Sequence, residues 1–100
     1  MEIGRVVGQV VATVKQPGLH GRTLLMVVPV DMHDATRDGP DGAAYVAADY
    51  IGAGLGEVVL VARGSAARVE GDSVSVPTDA AVVGIVDSVT IRTQTVFRKS

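Results

Sequence analysis

Residues 52–57, Gly-Ala-Gly-Leu-Gly-Glu (the GAGLGE loop), are followed at once by residues 58–63, Val-Val-Leu-Val-Ala-Arg. Glycines at every second position after an apolar run suggest a dinucleotide-binding loop, which requires GxGxxG spacing and a helix after the glycines. The spacing here is GxGxG, and the β-branched residues that follow favour a strand. The stretch therefore predicts a tight turn between two strands, where glycines adopt positive φ or let another backbone approach closely.

Strand signals of the same kind extend over the rest of the chain. Twenty valines among 100 residues, many in alternating or continuous apolar runs, predict strands and a core of β-branched aliphatic side chains. Gly4 and Gly8, inside the first of these runs, predict bends or bulges. Strands are predicted at residues 3–15, 22–31, 43–51, 58–63 and 80–92, with a short strand at 74–76, a helical turn at 65–69 capped by Ser65, and an edge strand or arm at 93–100.

These elements predict a single all-β domain over residues 1–100, because this length leaves room for one core. Short strands with glycine-marked bends are typical of a small five-stranded barrel resembling an oligonucleotide-binding fold. A short helical turn and a C-terminal strand or arm complete the predicted domain. The polar segment 32–42 predicts a surface loop.

The composition is unusually apolar for a small domain. Hydrophobic residues make up 47% of the chain and charged residues 20%, against about 25% charged residues in typical domains. A small domain has much surface for its volume and should be more polar than average. We therefore expect part of the surface to be buried against other chains.

Charge and composition also exclude several classes of protein. A net charge of -2 and 3% aromatic residues do not fit a nucleic-acid binder, which uses a basic surplus and stacking rings. The lack of cysteine excludes a disulfide scaffold or a thiolate metal site and fits a reducing cytosol. No signal peptide is expected, because the start of the chain has an acidic residue, Glu2, and no basic segment ahead of a continuous apolar run. No membrane span is expected there, because Gly8, Gln9 and Thr13 interrupt the first apolar run.

No motif in the sequence completes a catalytic, cofactor or metal site. Ser65 lacks the GxSxG elbow of a serine nucleophile, and His20 and His33 both fall in predicted turns. The acidic segment 32–42 lacks calcium-loop spacing and is predicted to be solvated. Single acids beside apolar runs are predicted to bond backbone amides at strand ends or to pair with arginine across an interface; they are Asp49, Glu57, Asp79 and Asp87.

Three segments together carry a resemblance to a known family. They are the GAGLGE loop, residues 64–68 (Gly-Ser-Ala-Ala-Arg) and residues 77–87, which end in Ile-Val-Asp. Their order, over nearly the whole chain, resembles that of the EutN/CcmL family of bacterial microcompartment vertex proteins. Two departures are visible. Ala66 stands where the family usually has a second serine, which puts a hydroxyl-specific role there in doubt, and segment 32–42 is long for the family, which a surface tolerates.

The resemblance implies a structural protein without enzymatic activity or cofactor. It implies a homopentamer, a truncated pyramid that closes the vertices of a polyhedral shell in the bacterial cytoplasm beside hexameric shell tiles. Head-to-tail interfaces close into such rings when the rotation permits. The implied tile-contacting edge comprises Gly52, Ala53, Gly54, Leu55, Gly56, Glu57, Ile85, Val86 and Asp87. The implied protomer interface or axial pore comprises Gly64, Ser65, Ala66, Ala67 and Arg68.

Two other hypotheses remain open at this point. A barrel of this kind could be a single-stranded nucleic-acid-binding module, which would show salt-dependent binding to single strands. A small enzyme or metal-loop protein would lose activity or bound metal when His33 is replaced. The resemblance identifies neither the type of microcompartment nor the tile paralogue that the protein contacts.

Overall fold

The computed structural model describes residues 1–13, 23–31, 43–64 and 79–99. These residues form seven strands, and among them no helix is long and apolar enough to cross a membrane. The fourth strand has the predicted bounds. The strands are β1 (Glu2–Val10), β2 (Thr23–Pro29), β3 (Tyr45–Asp49), β4 (Val58–Arg63), β5 (Ala80–Ile85), β6 (Ser88–Ile91) and β7 (Gln94–Arg98).

The first five strands close into a barrel in the order β1-β2-β3-β5-β4, with β4 returning to β1. Four of the five strand pairs are antiparallel, and the pair β3–β5 is parallel, with Ala48 opposite Ala81. A five-stranded closed barrel confirms the predicted all-β fold of the oligonucleotide-binding type.

The barrel core is aliphatic, as the valine content predicted. Its buried cluster contains no aromatic ring, and Tyr45 and Ala53 pack against it from partly buried positions. Branched aliphatic side chains fill a small barrel because they stand well on a pleated surface. The cluster comprises Val6, Leu25, Val27, Ala47, Val59, Val61, Ala80 and Val82.

The irregularity predicted in the first strand is confirmed at Gly8 but not at Gly4, where the pairing with β2 is continuous. The register between β1 and β2 shifts between Val6 and Gly8, which is a β-bulge. A bulge bends the strand and increases its twist, as closure of a small barrel requires. The strand itself ends at Val10, five residues before the predicted bound, and residues 11–13 form no ladder.

The prediction of one long strand over residues 80–92 is wrong. The chain leaves the barrel after Ile85 and pairs again from Ser88 onward, with β7. Val86 donates its backbone N–H to Val58 O (2.9 Å). Val58 is the first residue of β4, so the partner strand offers no residue for pairing beyond this point, and the barrel strand ends. The C-terminal segment, predicted as an edge strand or arm, contributes β7 to this hairpin. The predicted helical turn at 65–69 and strand at 74–76 lie outside the described residues.

Strand direction defines two ends of the barrel. β1, β3 and β5 run one way and β2 and β4 the other, as the four antiparallel pairs and the parallel pair require. The GAGLGE loop links β3 to β4, so it lies at the same end as residues 86–87, which follow β5. We call this the loop end. Gly64, which follows β4, lies at the opposite end together with Glu2 and Tyr45.

Candidate functional site

Asp49, the last residue of β3, organises the start of the segment that leads into the GAGLGE loop. Its Oδ1 accepts hydrogen bonds from the backbone N–H groups of Ile51 and Gly52, both at 3.0 Å, and its Oδ2 accepts one from Ala53 at 3.1 Å. A carboxylate that satisfies consecutive amides in this way replaces the strand ladder with a turn. The prediction that single acids bond backbone amides at strand ends is confirmed here.

The glycines of the loop serve its conformation. Gly52 and Gly56 have φ values of 89° and 84°, in the region that residues with a side chain rarely adopt. Among the described residues, apart from the glycine and its two chain neighbours, no atom lies within 4 Å of the position that a β-carbon would occupy at either residue. A β-carbon at Gly54 would instead lie 3.3 Å from Oε1 of Glu57. The predicted tight turn with positive φ is confirmed, and a strand follows it, as expected when no phosphate-binding helix is present.

The end of the loop continues the barrel ladder. Gly56 donates its N–H to Val6 O at 2.8 Å, and Val6 donates its N–H to Glu57 O at 3.0 Å. Glu57 N–H in turn bonds Gly54 O at 3.2 Å, which closes the turn. The loop is thus attached to β1 on one side and to Asp49 on the other, so its shape is fixed by the folded barrel.

The side chain of Glu57 connects the loop to the C-terminal hairpin. Its Oε1 accepts the N–H of Gly54 at 2.6 Å, and its Oε2 binds the ammonium of Lys99 at 2.9 Å. The backbone N–H of Lys99 donates to Asp87 O at 2.7 Å. Lys99 therefore contacts both segments that the sequence assigned to one edge, the GAGLGE loop and residues 85–87, and the structure brings these segments together.

The two charges of this pair stabilise each other. The hydrogen bond from Lys99, with the Gly54 amide, lowers the pKa of Glu57 below its ordinary value of 4.5. The hydrogen bond and charge of Glu57 raise the pKa of Lys99 above 10.5. Neither Lys99 nor the bracing role of Glu57 toward the hairpin was predicted, because the two residues are 42 positions apart.

The exposed surface of the loop is apolar at its tip. Leu55 is 76% exposed, and neighbouring Ile51 is 48% exposed. Leu55 lies between two grooves of about 500 and 420 Å³; the first is also lined by Phe97 and Lys99, the second by Val7 and Thr23. Leu55 and Ile51 are thus exposed apolar side chains on the segment that runs from β3 through the loop.

The opposite end of the barrel carries a different cluster. Arg63 donates to Oε1 of Glu2 at 2.9 Å, and its guanidinium carbon lies 4.2 Å from the centre of the Tyr45 ring. The Tyr45 hydroxyl is buried and has no hydrogen-bond partner of good geometry among the described residues. The hydroxyl and Arg63 together lower the pKa of Glu2, while burial, with the charge of Glu2, raises the pKa of Tyr45.

Of the predicted protomer interface, the described residues include only Gly64. It has a φ of 64° and donates its N–H to Asp79 O at 2.8 Å, which fixes the exit from β4. Ser65, Ala66, Ala67 and Arg68 lie outside the described residues, as do both histidines and segment 32–42. Within the described ranges, no three His, Asp or Glu side chains are grouped as metal ligands would be.

The chain is similar to known proteins over nearly its whole length. The family described as "Ethanolamine utilisation protein EutN/carboxysome" matches residues 1–87. The carboxysome shell vertex protein CcmL of Synechocystis sp. is 46% identical over 99 residues, covering 99% of this chain and 95% of the relative. The structure of Gloeobacter violaceus CcmL has a TM-score of 0.87 at 41% identity and covers 99% of this chain and 98% of that one.

A further solved structure is that of GrpN, a pentameric microcompartment shell protein from Rhodospirillum rubrum. Its TM-score is 0.72 at 45% identity, covering 91% of this chain and 98% of that one. These relatives are named as shell proteins and not as enzymes, in agreement with the predicted structural role. By sequence and by fold, the chain belongs to the EutN/CcmL family of microcompartment shell vertex proteins.

Proposed function

We propose that this chain forms homopentamers that close the vertices of a polyhedral bacterial microcompartment and contact hexameric shell tiles there. The observation that carries the proposal is the match over nearly all of both chains to a protein described as a pentameric microcompartment shell protein. The role is structural, and the protein acts in the shell, within the bacterial cytoplasm. The relatives give no support to the alternative of a nucleic-acid-binding barrel.

The proposed tile contact is the loop end of the barrel. It consists of the GAGLGE loop and residues 85–87, which Lys99 links through Glu57 and Asp87. Three features support this assignment: both segments lie at one end, their backbone is held by internal hydrogen bonds, and Leu55 is left exposed at the tip. Rigid segments with one exposed apolar anchor form good interfaces, because little order is lost on binding.

The proposed protomer contact lies near residues 64–68, toward the five-fold axis. What supports it is position: Gly64 lies at the end of the barrel opposite the GAGLGE loop, so contacts between copies and contacts with tiles use different surfaces. A heterologous interface of this kind, repeated by a five-fold rotation, closes into a ring. The apolar composition of the chain, 47% hydrophobic, is consistent with burial against neighbouring copies.

The first experiment is native mass spectrometry of the purified chain. We expect a dominant species of five chains, each of 10.3 kDa. A stable monomer at micromolar concentration would overturn the pentamer and leave the apolar surplus unexplained. In that case, fluorescence anisotropy with single-stranded DNA at low salt would test the nucleic-acid alternative.

The second experiment tests the tile contact. Glu57→Lys and Asp87→Arg variants should remain pentameric but fail to join sheets of a purified hexameric shell protein. Gln94→Lys is the matched control, because it adds the same type of charge at the exposed turn of the β6–β7 hairpin, away from Asp87 and Lys99. Normal assembly by the Glu57 and Asp87 variants would show that the contact lies elsewhere.

A further inference from the structure

Glu57 is poorly placed to bind a partner directly. Its two carboxylate oxygens are engaged within the chain, one by the Gly54 amide and one by Lys99, and only 24% of its side chain is exposed. Each carboxylate oxygen retains a second acceptor site, but the ammonium of Lys99 already compensates the charge of Glu57, so a further cation from a partner gains less there. Its position in the loop therefore calls for a role other than contact.

We propose that Glu57 and Lys99 form an internal clip that positions the tile-contacting edge, and that the tile itself contacts Leu55 and the loop backbone. This inference rests on the proposed function. The clip has three points: the ammonium of Lys99 holds Glu57, the backbone N–H of Lys99 holds Asp87 O, and Glu57 holds the Gly54 amide. One residue at the end of β7 thus fixes the distance between the two segments of the edge.

Lys99 and the β6–β7 hairpin follow residues 1–87, the segment that matches the family description, although individual relatives such as CcmL of Synechocystis sp. align over 99 residues. The hairpin is a two-stranded sheet, and such a sheet is only marginally stable by itself in water. Attachment of Lys99, which directly follows β7, to the loop end stabilises the hairpin and the edge together.

The inference also defines the chemistry of the partner surface. Asp49 bonds three amides and Glu57 bonds an amide and an ammonium, so both loop carboxylates point their acceptors inward. The N–H groups of residues 51–54, 56 and 57 are bonded within the chain, so the loop then offers Leu55, 76% exposed, and backbone carbonyl oxygens. The tile surface that fits is an apolar recess bordered by hydrogen-bond donors, not a cluster of basic side chains.

Loss of the clip should weaken tile binding modestly in each copy and more strongly in the whole pentamer. An exposed ion pair changes an equilibrium by a factor of about 1.4–5. Five equivalent copies contact neighbouring tiles around one vertex, so their effects combine. We expect loss of the clip to weaken the binding of the pentamer to tiles by about tenfold at low salt, with a smaller effect at high salt.

A double-mutant cycle separates positioning from direct contact. The variants are Lys99→Gln, Glu57→Gln and the double variant, with Lys99→Arg as the conservative replacement and Arg98→Gln as the charge-matched control. Each is measured for pentamer formation, for hydrogen exchange at the Gly54 amide without tiles, and for binding to a purified hexameric shell protein. Leu55→Asp tests the contact residue itself.

If the clip operates, Lys99→Gln speeds hydrogen exchange at the Gly54 amide and weakens tile binding. Lys99→Arg keeps both the exchange rate and the affinity for tiles within about twofold of the wild-type values. Glu57→Gln then adds nothing further in the Lys99→Gln background. Additive losses in tile binding would mean that Glu57 contacts the tile, and unchanged exchange in Lys99→Gln would mean that no clip exists; either result overturns the inference.

Failure of the proposed edge gives a different pattern. If exchange at Gly54 responds to Lys99→Gln but neither this variant nor Leu55→Asp alters tile binding, the loop end is not the tile contact. The assignment of the edge is then wrong, and the role of the clip in assembly falls with it. A change in tile binding by Arg98→Gln equal to that of Lys99→Gln would show that net charge, not the clip, is responsible, and would also overturn the inference.

Discussion

A β-carbon placed on Gly4 would lie 2.5 Å from Cγ1 of Val27, which is fully buried on the neighbouring strand β2. The same β-carbon would lie 2.9 Å from the backbone oxygen of Val28, which cannot move without disturbing the β1–β2 ladder. Gly4 is therefore required by close packing inside the barrel wall.

We expect Gly4→Ala to lower the free energy of unfolding by about 1–3 kcal/mol, the usual cost of overpacking a core. Urea unfolding at a fixed protein concentration measures it, since oligomers change stability with concentration. Gly8→Ala is the matched control on the same strand, because its nearest neighbour, Cβ of Met26, is at 3.6 Å. Equal stability of the two variants would contradict the packing argument.

Asp49 should stabilise the loop through its three amide bonds. In Asp49→Ala the N–H groups of Ile51, Gly52 and Ala53 lose their acceptor, and we expect a loss of about 1–2 kcal/mol together with faster exchange at these amides. Asp49→Asn retains one acceptor oxygen, so its free energy of unfolding should lie between those of the wild type and Asp49→Ala. Asp87→Ala is the control, since Asp87 bonds Lys99 through its backbone oxygen. Unchanged hydrogen exchange at residues 51–53 in Asp49→Ala would show that Asp49 does not stabilise these amides.

Gly56 tests the conformational role of the loop glycines. Its φ of 84° makes a side chain unfavourable, although no described residue beyond its chain neighbours lies within 4 Å of the β-carbon position. Gly56→Ala should cost about 1 kcal/mol, and Gly56→Asn less, because asparagine tolerates this region better. Thermal unfolding of the two variants, compared at equal concentration, gives the order. A more stable Ala variant would show that the glycine has another purpose.

The Glu57–Lys99 pair predicts a defined pH window. The pKa of Glu57 is lowered in the folded chain, so the stability it contributes is present above its ordinary pKa of 4.5 and is lost as the pH falls through the folded value. The pKa of Lys99 is raised, so its contribution is complete below 10.5 and is lost as the pH rises through the folded value. NMR titration of the Glu57 carboxyl checks the acid limit. In Lys99→Gln its pKa should rise; an unchanged value would exclude the pairing.

Tyr45 predicts a change at alkaline pH. Burial raises its pKa above the ordinary 10.0, so its contribution to stability is complete below pH 10 and is lost as the pH rises toward the folded value. The absorbance titration of the wild type minus that of Tyr45→Phe isolates this ring. We expect no ionisation of Tyr45 at pH 10 while the protein remains folded. Ordinary titration near pH 10 would place the hydroxyl in water.

The sequence predicted the barrel because its signals are local. The β-branched run from Val58 to Arg63 lies between two turn glycines, Gly56 and Gly64, and both bounds of β4 are correct. The positive φ of Gly52 and Gly56 and the amide bonds of Asp49 follow from residue type and position. The family resemblance predicted the vertex role, which the relatives confirm.

What was missed depends on contacts between distant parts of the chain. The apolar pattern continues through Val86, so the break between β5 and β6 has no local signal; it arises because β4 begins at Val58 and offers no partner beyond it. Lys99 stands in a weakly patterned segment, and nothing near it identifies Glu57 as its partner. The contact surfaces that the family resemblance implied remain predictions; the two segments of the tile edge lie at one end of the barrel, and Gly64 lies at the other.

The inward-facing carboxylate of Asp49 has a kinetic consequence for shell closure. Because it bonds three successive peptide groups when the chain folds, the adjoining loop loses little further conformational freedom when a neighbour binds at the proposed tile edge. Docking of a preformed surface proceeds without a conformational step, at the rate set by encounter and orientation. The last vertices of a closing shell, which must enter gaps of fixed shape, can then be filled by rigid units that arrive already in their final geometry.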